Sequence, residues 1–185
     1  MSNAYSDNDG NFLVKLARKT VDAYVTQKRK SKIPDDTPGH LREKSGVFVT
    51  LNSIVGNRVS LRGCIGRPYP SQPLVEAVID SSIDSAVNDP RFPPVTPKDL
   101  DTIIVDLSVL TPPKMIEYSK PEDLLNLVKV GRDGLIAIRG MRRGLLLPQV
   151  PVDWKWNTLE YLEHTCNKAG LPLHAWKDPE TEFMS

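Results

Sequence analysis

Two short strand-like runs, Val47–Leu51 and Arg58–Ile65, flank the turn signal Gly56-Asn57. Strands this close in sequence must pair antiparallel, because a parallel pair needs a crossover of a dozen or more residues. A third run, Thr102–Val109, alternates Ile103, Val105, Leu107 and Val109 with Ile104, Asp106 and Ser108, the pattern of a half-buried strand. Leu135–Ile138 and Gly144–Leu147 read as a second hairpin, turned by residues 140–143. Helices fall around these groups. Phe12, Leu13, Leu16, Ala17, Val21, Tyr24 and Val25 repeat at helical spacing, with Asn11 as the expected N-cap. Leu74, Val75, Val78, Ile79, Ile83, Ala86 and Val87 form a second stripe, expected to open at Ser71 with Pro73 in its first turn and to stop before Pro90. Ser119 with Glu122 resembles a capping box for a short helix, and a longer helix is expected over 153–168, stopped by Gly170 and Pro172. Hairpins with helices inserted between them argue an α+β fold with mainly antiparallel sheet.

The chain has 185 residues and a formal net charge of +1, which disfavours a surface that lives by coating phosphates. No apolar run approaches the length of a membrane helix, and the first residues lack the charged-then-apolar order of a signal segment, so the expected location is cytoplasmic. The two cysteines, Cys64 and Cys166, are expected to be reduced thiols rather than a disulfide framework.

Familiar catalytic motifs are absent: there is no P-loop, no Gly-x-Gly-x-x-Gly after a strand and no Gly-x-Ser-x-Gly elbow. His40, His164 and His174 are scattered and announce no metal pair, and nothing names a cofactor. Attention settles on Leu61–Gly66. Strict alternation would set Val59, Leu61 and Ile65 on the core face, and Ser60, Arg62 and Cys64 opposite. A cation beside a thiol raises its thiolate fraction, so Cys64 is the catalytic candidate; a buried small hydrophobe is the bland alternative. Gly63 and Gly66 would let a ligand or another backbone approach. Asp89 and Arg91 could fix each other as a corner, or Arg91 could reach an anion. Arg132 sits in the turn Gly131-Arg132-Asp133-Gly134, where a plain turn is the simpler reading. Gln149 follows a buried strand and could bind a ligand or cap a turn. Cys166 falls on the apolar stripe of its helix and is expected in the core.

Leu61-Arg62-Gly63-Cys64-Ile65-Gly66 is similar to the signature of the AMMECR family, named for a human chromosomal region. The resemblance extends through Asp89–Phe92, Leu107–Pro112, Val130–Leu135, Gly144–Val150 and Cys166–Pro172. It implies a larger subdomain (residues 1–118 plus 171–185) and a smaller inserted one (119–170), with the signature facing a cleft between them. It also implies association with a Memo-type protein and a radical-SAM protein, hence a modification pathway, by analogy alone. The family's biochemical role is not settled.

Three readings follow. The first is a cleft-binding protein, enzymatic or not, in which Arg62 holds an anionic or carbonyl group beside Cys64, with Asp89, Arg91, Arg132 and Gln149 as neighbours. No histidine lies near Cys64 in sequence to serve as its base. The second is a non-enzymatic module gripping a protein or nucleic acid, with Arg139, Arg142 and Arg143 joining Arg132 as a basic patch. The third is a scaffold in which Gly63 and Gly66 serve strand geometry and Arg62 bridges the two parts.

Overall fold

The computed structural model describes residues 5–185. The chain forms two compact units, Met1–Pro112 and Pro113–Ser185, each with its own three-stranded antiparallel sheet and its own core. This confirms the α+β class. The division differs from the expected one at the C-terminus: the strand near Phe183 exists, but it pairs in the second unit's sheet.

In the first unit, helix α1 (Asp7–Gln27) begins earlier than expected. Ser6, not Asn11, is its N-cap: Ser6 Oγ accepts from the Asp9 amide, and the Asp9 carboxylate accepts from the Ser6 amide. Strands β1 (Gly46–Val55) and β2 (Arg58–Arg67) form the hairpin, and β3 (Ile103–Leu110) pairs with the other edge of β1, giving the order β2-β1-β3. Helix α2 (Leu74–Val87) lies between β2 and β3 in sequence. It opens after Pro73 with no side-chain cap, so Ser71 does not serve as one. Val47, Val49 and Leu51 of β1 are fully buried in one cluster with Leu13, Leu16 and Val21 of α1 and Leu74, Val75 and Val78 of α2. Both helices therefore cover the same face of the sheet.

The second unit holds a one-turn helix α3 (Leu124–Leu127), strands β4 (Leu135–Arg139) and β5 (Arg142–Leu146), helices α4 (Gln149–Asp153) and α5 (Thr158–Lys168), and β6 (Glu182–Met184), in the sheet order β5-β4-β6. Asp123, rather than the Ser119–Glu122 pair, accepts the amides of Ser119 and Lys120 ahead of α3. The helix expected over 153–168 starts only at Thr158, because α4 ends at Asp153 and the chain turns before α5 begins. Lys155 adopts a left-handed backbone (φ 57°) between them, and Asn157 with Glu160 caps α5 anew. Tyr161, Leu162 and Cys166 of α5 pack on Leu135, Ala137 and Phe183. Burial pushes the Cys166 thiol up to about 11, which suits the packing role read from its sequence position. Among the described residues no helix is long and apolar enough to cross a membrane.

Candidate functional site

The Leu61–Gly66 segment is part of β2, and β2 is an edge strand. Its register against β1 is regular on both sides of one irregularity: Leu51 faces Gly63 and Asn52 faces Leu61. Arg62 is thus the extra residue of a β-bulge, and a bulge reverses the alternation. Directly opposed residues share a face of the sheet. Gly63, Ile65 and Arg67 therefore lie on the helix-covered face with Leu51, Val49 and Val47, whereas Cys64 and Gly66 lie on the outer face with Thr50 and Phe48. Beyond the bulge Leu61 is on the outer face too, opposite Asn52, which in turn faces Ile104 of β3. This corrects the expectation that Val59, Leu61 and Ile65 share the core face. Val59 is 64% exposed and Leu61 42%.

Gly63 is where the backbone of α2 touches the sheet. A Cβ there would stand 2.1 Å from the Ser85 carbonyl oxygen, so only glycine admits this contact. The close approach sets the Ser85 hydroxyl into the ladder: it accepts from the Ile65 amide (2.8 Å) and donates to the Val49 carbonyl (2.7 Å). Gly66 serves a different neighbour, because a Cβ there would stand 2.4 Å from the Phe48 ring.

Asp89 and Arg91 complete the edge. The Cys64 amide donates to Asp89 Oδ2 (2.9 Å), and Arg91 Nη2 donates to the Cys64 carbonyl (3.2 Å). Two side chains thus stand in for a neighbouring strand. Arg91 also grips Asp89 bidentately, Nε to Oδ1 at 3.0 Å and Nη2 to Oδ2 at 2.7 Å. Asp89 is only 4% exposed. The hydrogen bonds from Arg91 hold its carboxyl well below the ordinary range, against the opposing effect of burial, and the Cys64 amide adds to them. Of the two roles open to this pair, the structure shows the corner.

Arg62 is likewise occupied: Nη1 donates to the Pro93 carbonyl (2.7 Å), and Nη2 lies 3.5 Å from Asp99 Oδ2. Asp99 also accepts from the Thr96 amide and hydroxyl. These partners all belong to the first unit. The Cys64 side chain is half-buried, and Thr50 Oγ1 donates to its Sγ at 3.3 Å. Cys64, Thr50 and Asp106 form one row across all three strands on the outer face.

The structure therefore brings Gly63, Cys64, Gly66, Asp89 and Arg91 together, with Arg62 at the bulge beside them. Arg132 and Gln149 belong to the second unit. Arg132 pairs with Asp133 (2.6 Å), whose other oxygen accepts from the Lys129 amide, so it braces its own turn. Gln149 follows β5, as expected, and is exposed at the start of α4. Ser85 was not singled out in the sequence reading, and neither was Thr50. Ser85 could have been found from its place on the helix stripe, at a position where an apolar residue would be expected.

A family profile described as AMMECR1 matches residues 14–185. The chain belongs to the AMMECR1 family. Protein TK0174 of Thermococcus kodakarensis is 55% identical over 177 residues, covering 95% of this chain and 86% of that protein. A protein of Methanothermobacter thermautotrophicus is 48% identical over 176 residues, covering 95% of this chain and 90% of its own. The crystal structure of uncharacterized protein PH0010 from Pyrococcus horikoshii superposes with a TM-score of 0.91 at 51% identity, covering 97% of this chain and 88% of that one. In this AMMECR1-family chain, the Leu61–Gly66 segment is thus the edge strand on which α2, Asp89 and Arg91 converge.

Proposed function

We propose that this AMMECR1 chain is a binding module that recognises a partner polypeptide on the outer face of its first sheet, with the Cys64 thiol within the contact. One observation carries the reading. Val59, Leu61 and Ile104 are exposed on the same face as Cys64, and the backbone beneath the thiol is held by Ser85, Asp89 and Arg91. Exposed aliphatics on a rigid support are what a polypeptide contact uses.

Charge favours a polypeptide over a nucleic acid. Arg62, Arg91, Arg132, Arg139 and Arg142 are each committed to a carboxylate or a backbone carbonyl of their own unit. Phosphate recognition needs cations free to release counterions. A binding role also fits the thiol's surroundings better than nucleophilic catalysis. The side-chain hydrogen bond at Cys64 Sγ comes from a threonine, whereas an activated thiol stands beside a base. The partner that the family resemblance points to is a Memo-type protein, with a radical-SAM protein as its companion in a modification pathway.

The test mixes the full chain with a purified Memo-type protein and measures affinity by calorimetry. The Leu61→Asp variant, at an exposed position, should fold normally and lose at least about tenfold in affinity, as expected for a charge placed in an apolar contact. Binding that is absent for the unaltered chain, or unchanged by Leu61→Asp and by Ile104→Asp, would refute the assignment of this face.

A further inference from the structure

The second unit contains a cavity of about 420 Å3 where residues 115–121 run past the 178–183 segment. Its apolar wall includes Met115, Tyr118 and Pro179, and three carboxylates, Glu117, Asp178 and Glu182, also line it. Carboxylates alone would be a solvated acidic face. Here they rim an apolar hollow with an aromatic wall, and that combination discriminates among ligands.

One of the three charges is already neutralised. Arg139 Nη2 lies 2.6 Å from Asp178 Oδ2 and also donates to Thr181 Oγ1. Glu117 and Glu182 make no ion pair among the described residues. Tyr118 is fixed by its hydroxyl, which donates to the Thr181 carbonyl at 2.9 Å. Burial raises the Tyr118 phenol above its ordinary value, and the charge of Glu182 raises it further, so the carboxylate's field reaches the ring.

We infer that this cavity takes an alkylammonium group, its apolar stem against Met115 and Pro179 and its charge beside Glu182, Glu117 and the Tyr118 ring. An ammonium is attracted both by carboxylates and by an aromatic face, and its methylenes favour the apolar wall. An anion would be repelled, and a neutral apolar group would gain nothing from the two exposed carboxylates at the rim. The group could arrive on a free polyamine or as the lysine side chain of a polypeptide.

The experiment follows the Met115 methyl and Tyr118 ring signals of the full chain by NMR during titration with n-butylammonium, with n-butanol as the uncharged match. Saturable shifts with the ammonium and not with the alcohol are expected. Glu182→Gln should weaken them by about fivefold, the share of one partly exposed ion pair. Parallel titrations with spermidine and with a capped tripeptide containing one lysine distinguish the two sources, and tighter binding of either supports the site. Equal response to butanol and butylammonium, silence in every titration, or an unaltered response in both Glu182→Gln and Glu117→Gln overturns it.

Discussion

Two arginine–aspartate pairs close together in sequence do different work in this molecule. Asp89 and Arg91 join across one residue, and the carboxylate is buried. Besides holding each other, they satisfy the amide and carbonyl of Cys64 on a separate strand. Arg132 and Asp133 are adjacent, the guanidinium is exposed, and the carboxylate reaches only back to Lys129 in the same turn. The chemistry of the two pairs is the same. The difference lies in what each would leave behind if it were lost: an unpaired strand-edge amide and carbonyl at the first, and a loosened surface turn at the second.

Substitutions around these pairs sharpen the contrast, and each can be read by chemical denaturation. The largest effect is expected at the close contact the first pair flanks. Gly63→Ala drives a methyl group into the Ser85 carbonyl and should cost about 3 kcal/mol or more. A cost near zero would mean that α2 is not seated on the strand. Asp89→Ala leaves the Cys64 amide and the Arg91 guanidinium without their acceptor, for a loss of about 2–3 kcal/mol. Ser85→Ala opens the inserted link between Ile65 and Val49 and should cost about 1–2 kcal/mol. Arg132→Ala should cost less than about 0.5 kcal/mol. If Arg132→Ala proved as damaging as Asp89→Ala, the contrast would collapse.

The same contrast has a pH signature. Asp89 has a folded pKa below its unfolded value of roughly 3.9, so its stabilising share is fully present above that value. It is lost as pH falls towards the folded value. Stability of the unaltered chain should therefore drop on acidification below about pH 4. The Asp89→Asn variant should start lower and show a shallower decline. Equal acid slopes would contradict a charged, clamped Asp89.

Much of this was legible in the sequence, for reasons that can be named. Both hairpins followed from glycine turn signals between strand-forming runs, and both long helix stripes from their spacing. Gly63 correctly advertised a close approach, and Asp89-Pro90-Arg91 a corner. The bulge at Arg62 was not legible. It depends on which β1 residue the strand meets, and Gly63 beside it signals a close approach as readily as a bulge, yet the bulge moves Leu61 from the core face to the outer one. The break at Lys155 was hidden because a lysine carries the left-handed backbone that glycine or asparagine usually supplies, although Asn157 and Glu160 did spell a new helix start. Ser85 stands out as a polar residue on the helix stripe, but what it bonds was not legible, because its partners lie 20 and 36 residues away.

The most direct test of the account is the alkylation of Cys64 in the native chain, with Cys166 replaced by alanine. The account holds that the edge of β2 is locked while its thiol is presented on the outer face. It predicts steady modification of Cys64 under conditions where the protein stays folded. Modification that occurs only when the chain unfolds would contradict it, because the thiol would then be a packing group and not part of the outer contact face.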